Sequence, residues 1–135
     1  AALKAGLEKL QKEKTAQLFD VLRKEIKQTG DVDLLEWDCS KLKADVVKDL
    51  AFKFKAESNN ICFIAYGADE GKVSLSLMLG EELVANGKDA SKIIRSAAKH
   101  IKGGGGGQKY FASAGGKDAS GIEKAIEEIK KELFG

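Results

Sequence analysis

Proline is absent from this chain, histidine and methionine occur once each, and cysteine occurs twice. With no proline, glycine is left as the main backbone punctuation. His100 has no neighbouring Ser or Cys nucleophile with a sequence-evident orienting partner, which removes the triad type of nucleophilic catalysis. It reads as a partly exposed helical side chain. Cys39 and Cys62 stand far apart, neither in a CxxC pair, so a structural zinc site lacks its ligands and both thiols are expected reduced and partly buried. No apolar run approaches the roughly 18 residues of a membrane span, and "AALKAGLEKLQKEK" has no signal-peptide core, so the expected location is cytoplasmic. Met78 is the only methionine, and the expectation is a stretch excised from a longer protein.

The 135 residues hold 43% hydrophobic and 33% charged side chains, a balance that suits one globular core. Leu7, Leu10, Leu18, Leu22 and Ile26 fall mostly three or four apart and predict a helix over 3–26 that ends near Gly30. "VDLLEWDC" reads as a strand. Ser40 is the expected N-cap of a helix running to Glu57, in which Leu42, Val46, Leu50 and Phe54 recur at four-residue steps. "ICFIAY", a turn over Ala68–Gly71 and "KVSLSLML" predict a hairpin. A helix from Asp89 to Ile101, the glycines, a strand "QKYFASA" and a helix burying Ile122, Ile126, Ile129 and Leu133 complete the order. The fold class is α/β, a mixed small sheet with flanking helices, with residues 1–30 as a helical arm and 31–135 as the globular domain.

Charge is unevenly placed. Residues 88–117 hold seven Lys/Arg against one Asp/Glu, a balance of +6, in a chain whose total is only +2. Lys88, Lys92, Arg95, Lys99 and Lys102 are spaced 4, 3, 4 and 3 apart, opposite Ile93, Ile94, Ala97, Ala98 and Ile101. A solvated helix face is one reading. A track for a phosphate backbone is the other, because no acidic partner at helical spacing relieves the repulsion.

That ridge runs into Gly103, Gly104, Gly105, Gly106 and Gly107, followed by Gln108, Lys109, Tyr110 and Phe111. Each ordered glycine costs about 0.5–1 kcal/mol relative to alanine, so five in a row need a geometric reason or a linker role. Too few residues follow for a second core, which favours a loop lying close to another backbone or to a ligand. A P-loop is excluded because Tyr110 stands where Ser or Thr would hold magnesium. The dinucleotide fingerprint is excluded because the order is helix, glycines, strand. Bare N–H groups between Lys102 and Lys109 remain, with Lys117 beyond and one of Tyr110 and Phe111 facing inward by alternation. Gly105 is expected to carry positive φ or to meet RNA closely, so that valine there would harm RNA binding more than stability. No catalytic constellation is visible, and the chain reads as a binding module rather than an enzyme.

The run "GGGGGQKYFASAGGKD" resembles the glycine-rich C-terminal domain of alanyl-tRNA synthetase, a domain type shared with DHH-type phosphoesterases. In the phosphoesterase branch the glycines run into GGHxxAAG, and here Gln108 stands in place of that histidine. The resemblance implies a domain that binds the tRNA elbow and links aminoacylation with editing; the residues expected to meet RNA, from the charge and glycine pattern, are Lys88, Lys92, Arg95, Lys99, Lys102, Gly103 to Gly107, Gln108, Lys109, Tyr110 and Lys117. It implies no cofactor in this stretch; ATP, Mg and Zn belong to other parts of an alanine–tRNA ligase. The implied partners are tRNA and the catalytic and editing domains of the same chain, with no membrane; a homo-oligomer through the arm is the partner that the arm's own amphipathic stripe suggests. A helical assembly module and a substrate-binding domain of a DHH-type phosphoesterase are the competing readings.

Overall fold

The computed structural model describes residues 16–30, 32–39 and 44–134. A helix, α1, covers 16–23; β1 (Lys27–Thr29), β2 (Val32–Asp38), α2 (Ala44–Glu57), β3 (Ile61–Asp69) and β4 (Lys72–Leu79) follow. Next come α3 (Glu81–Ala85), α4 (Ala90–Ala98) with a 3-10 turn over Lys99–Ile101, β5 (Gly104–Gly107), β6 (Phe111–Gly116) and α5 (Ile122–Phe134). The strands form one sheet in the order β1-β2-β3-β4-β6-β5. Among the described strands only β2 and β3 are parallel, with Leu35 opposite Phe63, and α2 makes the crossover that a parallel pair requires.

The β3–β4 hairpin extends beyond the expected strands because Glu70 and Gly71 form a two-residue turn with φ of 49° and 79°. Positive φ at both positions matches the right-handed twist of the flanking strands. Period-two alternation then divides the core. Cys62 and Ile64 of β3, Val73, Leu75, Leu77 and Leu79 of β4, and Ala112 and Ala114 of β6 face α4 and α5. Ile61, Phe63, Ala65 and Met78 face α2 and Leu22 of α1. The mixed sheet with helices on both faces agrees with the expected fold class.

Several elements differ from expectation. The helix expected to reach Ile26 ends at 23, and Lys27–Thr29 pair with β2, Gln28 opposite Asp33. The unpaired backbone edge of β2 outweighs the polar character of "KQT". Leu22 is buried, and Leu18 and Ile26 pack against the same cluster, so the stripe holds where it is described. Residues 3–15 of that helix and the Ser40 cap lie outside the described residues. α3 was not expected. It follows Gly80, where a Cβ would lie 2.2 Å from the Asn59 carbonyl oxygen. Cys39 and Cys62 are free thiols and buried, and burial pushes both thiol pKa values up.

Candidate nucleic-acid interface

Asp89 caps α4, its Oδ1 accepting from the N–H groups of Ser91 at 3.0 Å and Lys92 at 3.4 Å. Ile93, Ile94, Ala97, Ala98 and Ile101 are buried, which turns Lys92, Arg95, Lys99 and Lys102 to solvent. The ridge exists as four cations. Lys88 leaves it: half-buried before the cap, its Nζ donates to the Glu132 carbonyl at 3.0 Å in the last turn of α5. A cation there meets the negative end of the helix dipole.

The helix ends by reversal. Lys102 takes a left-handed conformation, φ 53° and ψ 48°, and Gly103 N–H donates to the Ala98 carbonyl at 3.0 Å. That conformation costs a non-glycine residue about 1–2 kcal/mol and aims the chain back along α4. Lys117 and Asp118 N–H both donate to the Ile101 carbonyl, at 2.9 and 3.0 Å, so Lys117 joins this end of the ridge. The Asp118 carboxylate is held below its ordinary range, first by the Ser120 hydroxyl and then by the Ser120 N–H, Lys102 and Lys124. His100 is half-exposed and lies 3.9 Å from Glu128 of α5.

The glycines form a strand where a loop was expected. Gly105 opposes Ala114 and Gly107 opposes Ala112, so the segment is the edge strand beyond β6. Low strand propensity is overridden by close packing against small residues. A Cβ on Gly103, Gly105 or Gly107 would stand 1.9, 2.3 or 2.5 Å from a carbonyl oxygen of Gly115, Ser113 or Phe111. On Gly106 it would lie 3.4 Å from Arg95 Nε, and on Gly104 it would meet nothing within 4 Å. Gly105 has no positive φ, contrary to one of the two reasons expected for it, and the space beside it is filled by β6, so valine there costs stability directly.

Gln108 N–H donates to the Phe111 carbonyl at 2.8 Å and closes the β5–β6 hairpin, so the strand expected from Gln108 starts at Phe111. Counting back by alternation, Gly106 and Gly104 are bonded to β6, while the N–H groups of Gly105 and Gly107 point to the open edge. Among the described residues these outward donors meet no further strand, and Arg95 of α4 lies beside the strand at Gly106. The hairpin tip is fixed at both ends: the Lys109 carbonyl accepts from Ala90 N–H at 2.8 Å and the Tyr110 carbonyl from Leu79 N–H at 2.7 Å. Of the two aromatics, Phe111 is the half-buried one and Tyr110 is exposed. Phe52 of α2, which meets both rings, and Lys55, which lies over Tyr110, were missed by sequence reasoning. Only their place on the outward stripe of α2 could have flagged them.

Among the described residues no three His, Cys, Asp or Glu side chains gather to hold a metal ion. None of the described helices is long and apolar enough to cross a membrane. The sheet and its edge define a small α/β domain with a cationic track beside a strip of exposed backbone. The chain belongs to the DHHA1 domain family, whose model matches residues 37–134. It is 42% identical over 130 residues to the protein named alanine–tRNA ligase in Bacteroides thetaiotaomicron, covering 96% of this chain and 15% of that relative. The crystal structure of the C-Ala domain from Aquifex aeolicus alanyl-tRNA synthetase matches the fold with TM-score 0.73 at 23% identity, over 82% of this chain and 98% of that one. A DHH-domain structure described as a member of a family of ribosomal proteins matches with TM-score 0.67 at 17% identity, over 96% of this chain and 32% of that one. The chain spans about 15% of the length of the curated relatives it matches.

Proposed function

We propose that this chain is the tRNA-binding part of an alanyl-tRNA synthetase, contacting the tRNA elbow and keeping the aminoacylation and editing parts of a longer cytoplasmic enzyme on one substrate. The carrying observation is the 42% identity to an alanine–tRNA ligase over nearly the whole chain. The exposed row Lys92, Arg95, Lys99 and Lys102 supplies the physical means, since each ammonium or guanidinium can replace a counterion on a phosphate. Outward N–H groups of β5 add donors that carry no base preference, so the surface reads backbone and shape. Folded tRNA presents converging phosphate arms at its corner. Alanine activation with ATP and Mg, and the zinc of editing, belong to the catalytic and editing domains of the parent; this chain alone forms no alanyl adenylate.

Competition binding at fixed salt tests the reading. Any folded tRNA with an intact elbow should outcompete an acceptor-stem hairpin of equal charge, even one carrying every acceptor-stem base of the alanine tRNA. Equal affinity for the two overturns elbow recognition.

A further inference from the structure

A second surface lies around the hairpin tip, on the α2 side of the sheet. Phe52 and Tyr110 are 39% and 36% exposed, two of the three large apolar side chains so exposed among the described residues. They are not scattered. Their rings meet edge to face with centroids 6.1 Å apart and planes at 64°, and Phe111 lies 5.8 Å from Phe52, tying it to the second core cluster. An edge-to-face contact sets the edge of one ring over the face of the other, and each residue still keeps more than a third of its surface open to solvent.

The patch is also cationic. Lys48 and Lys55 stand four residues before and three after Phe52 on α2, a spacing that puts all three on one side of the helix. Lys48 is exposed, Lys55 Nζ lies 5.3 Å from the Tyr110 ring centroid, and the exposed Lys109 precedes Tyr110 in the tip. An apolar protein partner would answer the rings and leave three ammonium groups to be desolvated. A polyanion bearing flat rings answers both features at once.

We infer that Phe52 and Tyr110 form a stacking seat for an outward-facing nucleobase of RNA, with Lys48, Lys55 and Lys109 on the phosphates that flank it. The inference rests on the RNA-binding reading above and adds a contact distinct from the α4 ridge. Because Ala90 at the start of α4 donates to the Lys109 carbonyl, the tip belongs to both surfaces, and one RNA can turn from the ridge onto the patch. Base stacking on an aromatic ring is sequence-tolerant, so this seat recognises an unstacked or terminal base without choosing its identity.

The experiment compares binding of folded tRNA and of inorganic polyphosphate of matched charge at one salt concentration, for the wild type and for Phe52→Leu, Tyr110→Leu and Phe52→Trp. Leucine keeps apolar cover and removes the ring face, and thermal melting confirms that each variant is folded. Each leucine variant should lose about ten-fold in tRNA affinity with an unchanged salt slope and unchanged polyphosphate binding, while Phe52→Trp keeps wild-type affinity. Leucine variants that bind tRNA like the wild type overturn the seat and leave the elbow reading intact. A wild type that prefers neither tRNA over polyphosphate nor tRNA over the acceptor hairpin overturns both. A concentration-dependent dimer that Phe52→Leu dissolves without changing tRNA binding assigns the patch to a second copy and overturns the inference.

Discussion

Among the described residues, one edge of the sheet is β1, with Lys27, Gln28 and Thr29 all exposed, and the other is β5, glycine backbone with no side chains. A strand edge is a template for unwanted pairing, and β1 is guarded in the ordinary way, by being three residues long, polar and charged. β5 carries no guard of its own. Its protection comes from α4, whose Arg95 lies against Gly106 and whose exposed cations would repel the same edge of a second copy. Those cations attract a phosphate backbone for the same reason. One edge is guarded by its own short polar strand, whereas the other depends on the charge of a neighbouring helix.

The largest expected effect separates two neighbouring glycines of the same strand. Gly105→Val forces atoms into the 2.3 Å gap to the Ser113 carbonyl oxygen, and the β5–β6 pairing must give way. Destabilisation of about 3 kcal/mol, roughly 10 °C in melting temperature, is expected. Gly104→Ala enters open space at ordinary φ and should stay within about 0.5 kcal/mol of the wild type. Denaturant titration of the two variants decides it, and equal midpoints would mean that β5 is not packed as described.

That contrast also shows what the residues could reveal by themselves. α4 was legible because Ile93, Ile94, Ala97, Ala98 and Ile101 repeat at helical spacing on the side away from the lysines, and β3 was legible because Ile61 to Ala65 are apolar on both faces. β5 was not, because glycine has no side-chain pattern to read, and its pairing is imposed by Ala112 and Ala114 of a strand later in the chain. β1 was hidden by a helical stripe that ran through Ile26, although only the edge of β2 could tell the chain to extend after it. Four of the five predicted ridge cations stay together; Lys88 departs because the end of α5, remote in sequence, supplies a carbonyl for it. The Phe52–Tyr110 contact spans two elements and no local spacing contains it.

The next effect is on binding and sharpens the contrast between edges. Lys92→Ala, Lys99→Ala and Lys102→Ala should each weaken tRNA binding and flatten the logarithmic salt dependence by up to about one unit, with melting temperature nearly unchanged. Lys27→Ala, an equally exposed cation on β1, should leave both affinity and slope as they are. If the triple variant on α4 kept the wild-type slope, or if Lys27→Ala matched its loss, the charge would act through the net total of the protein and not through the glycine edge.

The smallest effect concerns the junction at the far end of the ridge. The depressed pKa of Asp118 arises first from the Ser120 hydroxyl, then from the Ser120 N–H and the positive charges of Lys102 and Lys124. A carboxylate whose folded pKa lies below its unfolded value, about 3.9, binds protons more readily when unfolded. Its contribution is therefore present above that value and disappears as pH falls through the folded pKa. Asp118→Asn keeps an oxygen for the Ser120 N–H and removes the charge, so the variant should be slightly less stable than the wild type near pH 6, with the gap narrowing as pH falls below about 3.9. Measuring both proteins across that range by denaturant unfolding reads the difference directly. A gap that persists unchanged into acid would show that Asp118 acts through shape alone. A gap that closes would show that the carboxylate stabilises the turn beside Lys102, which is where the chain leaves α4 to form the glycine edge.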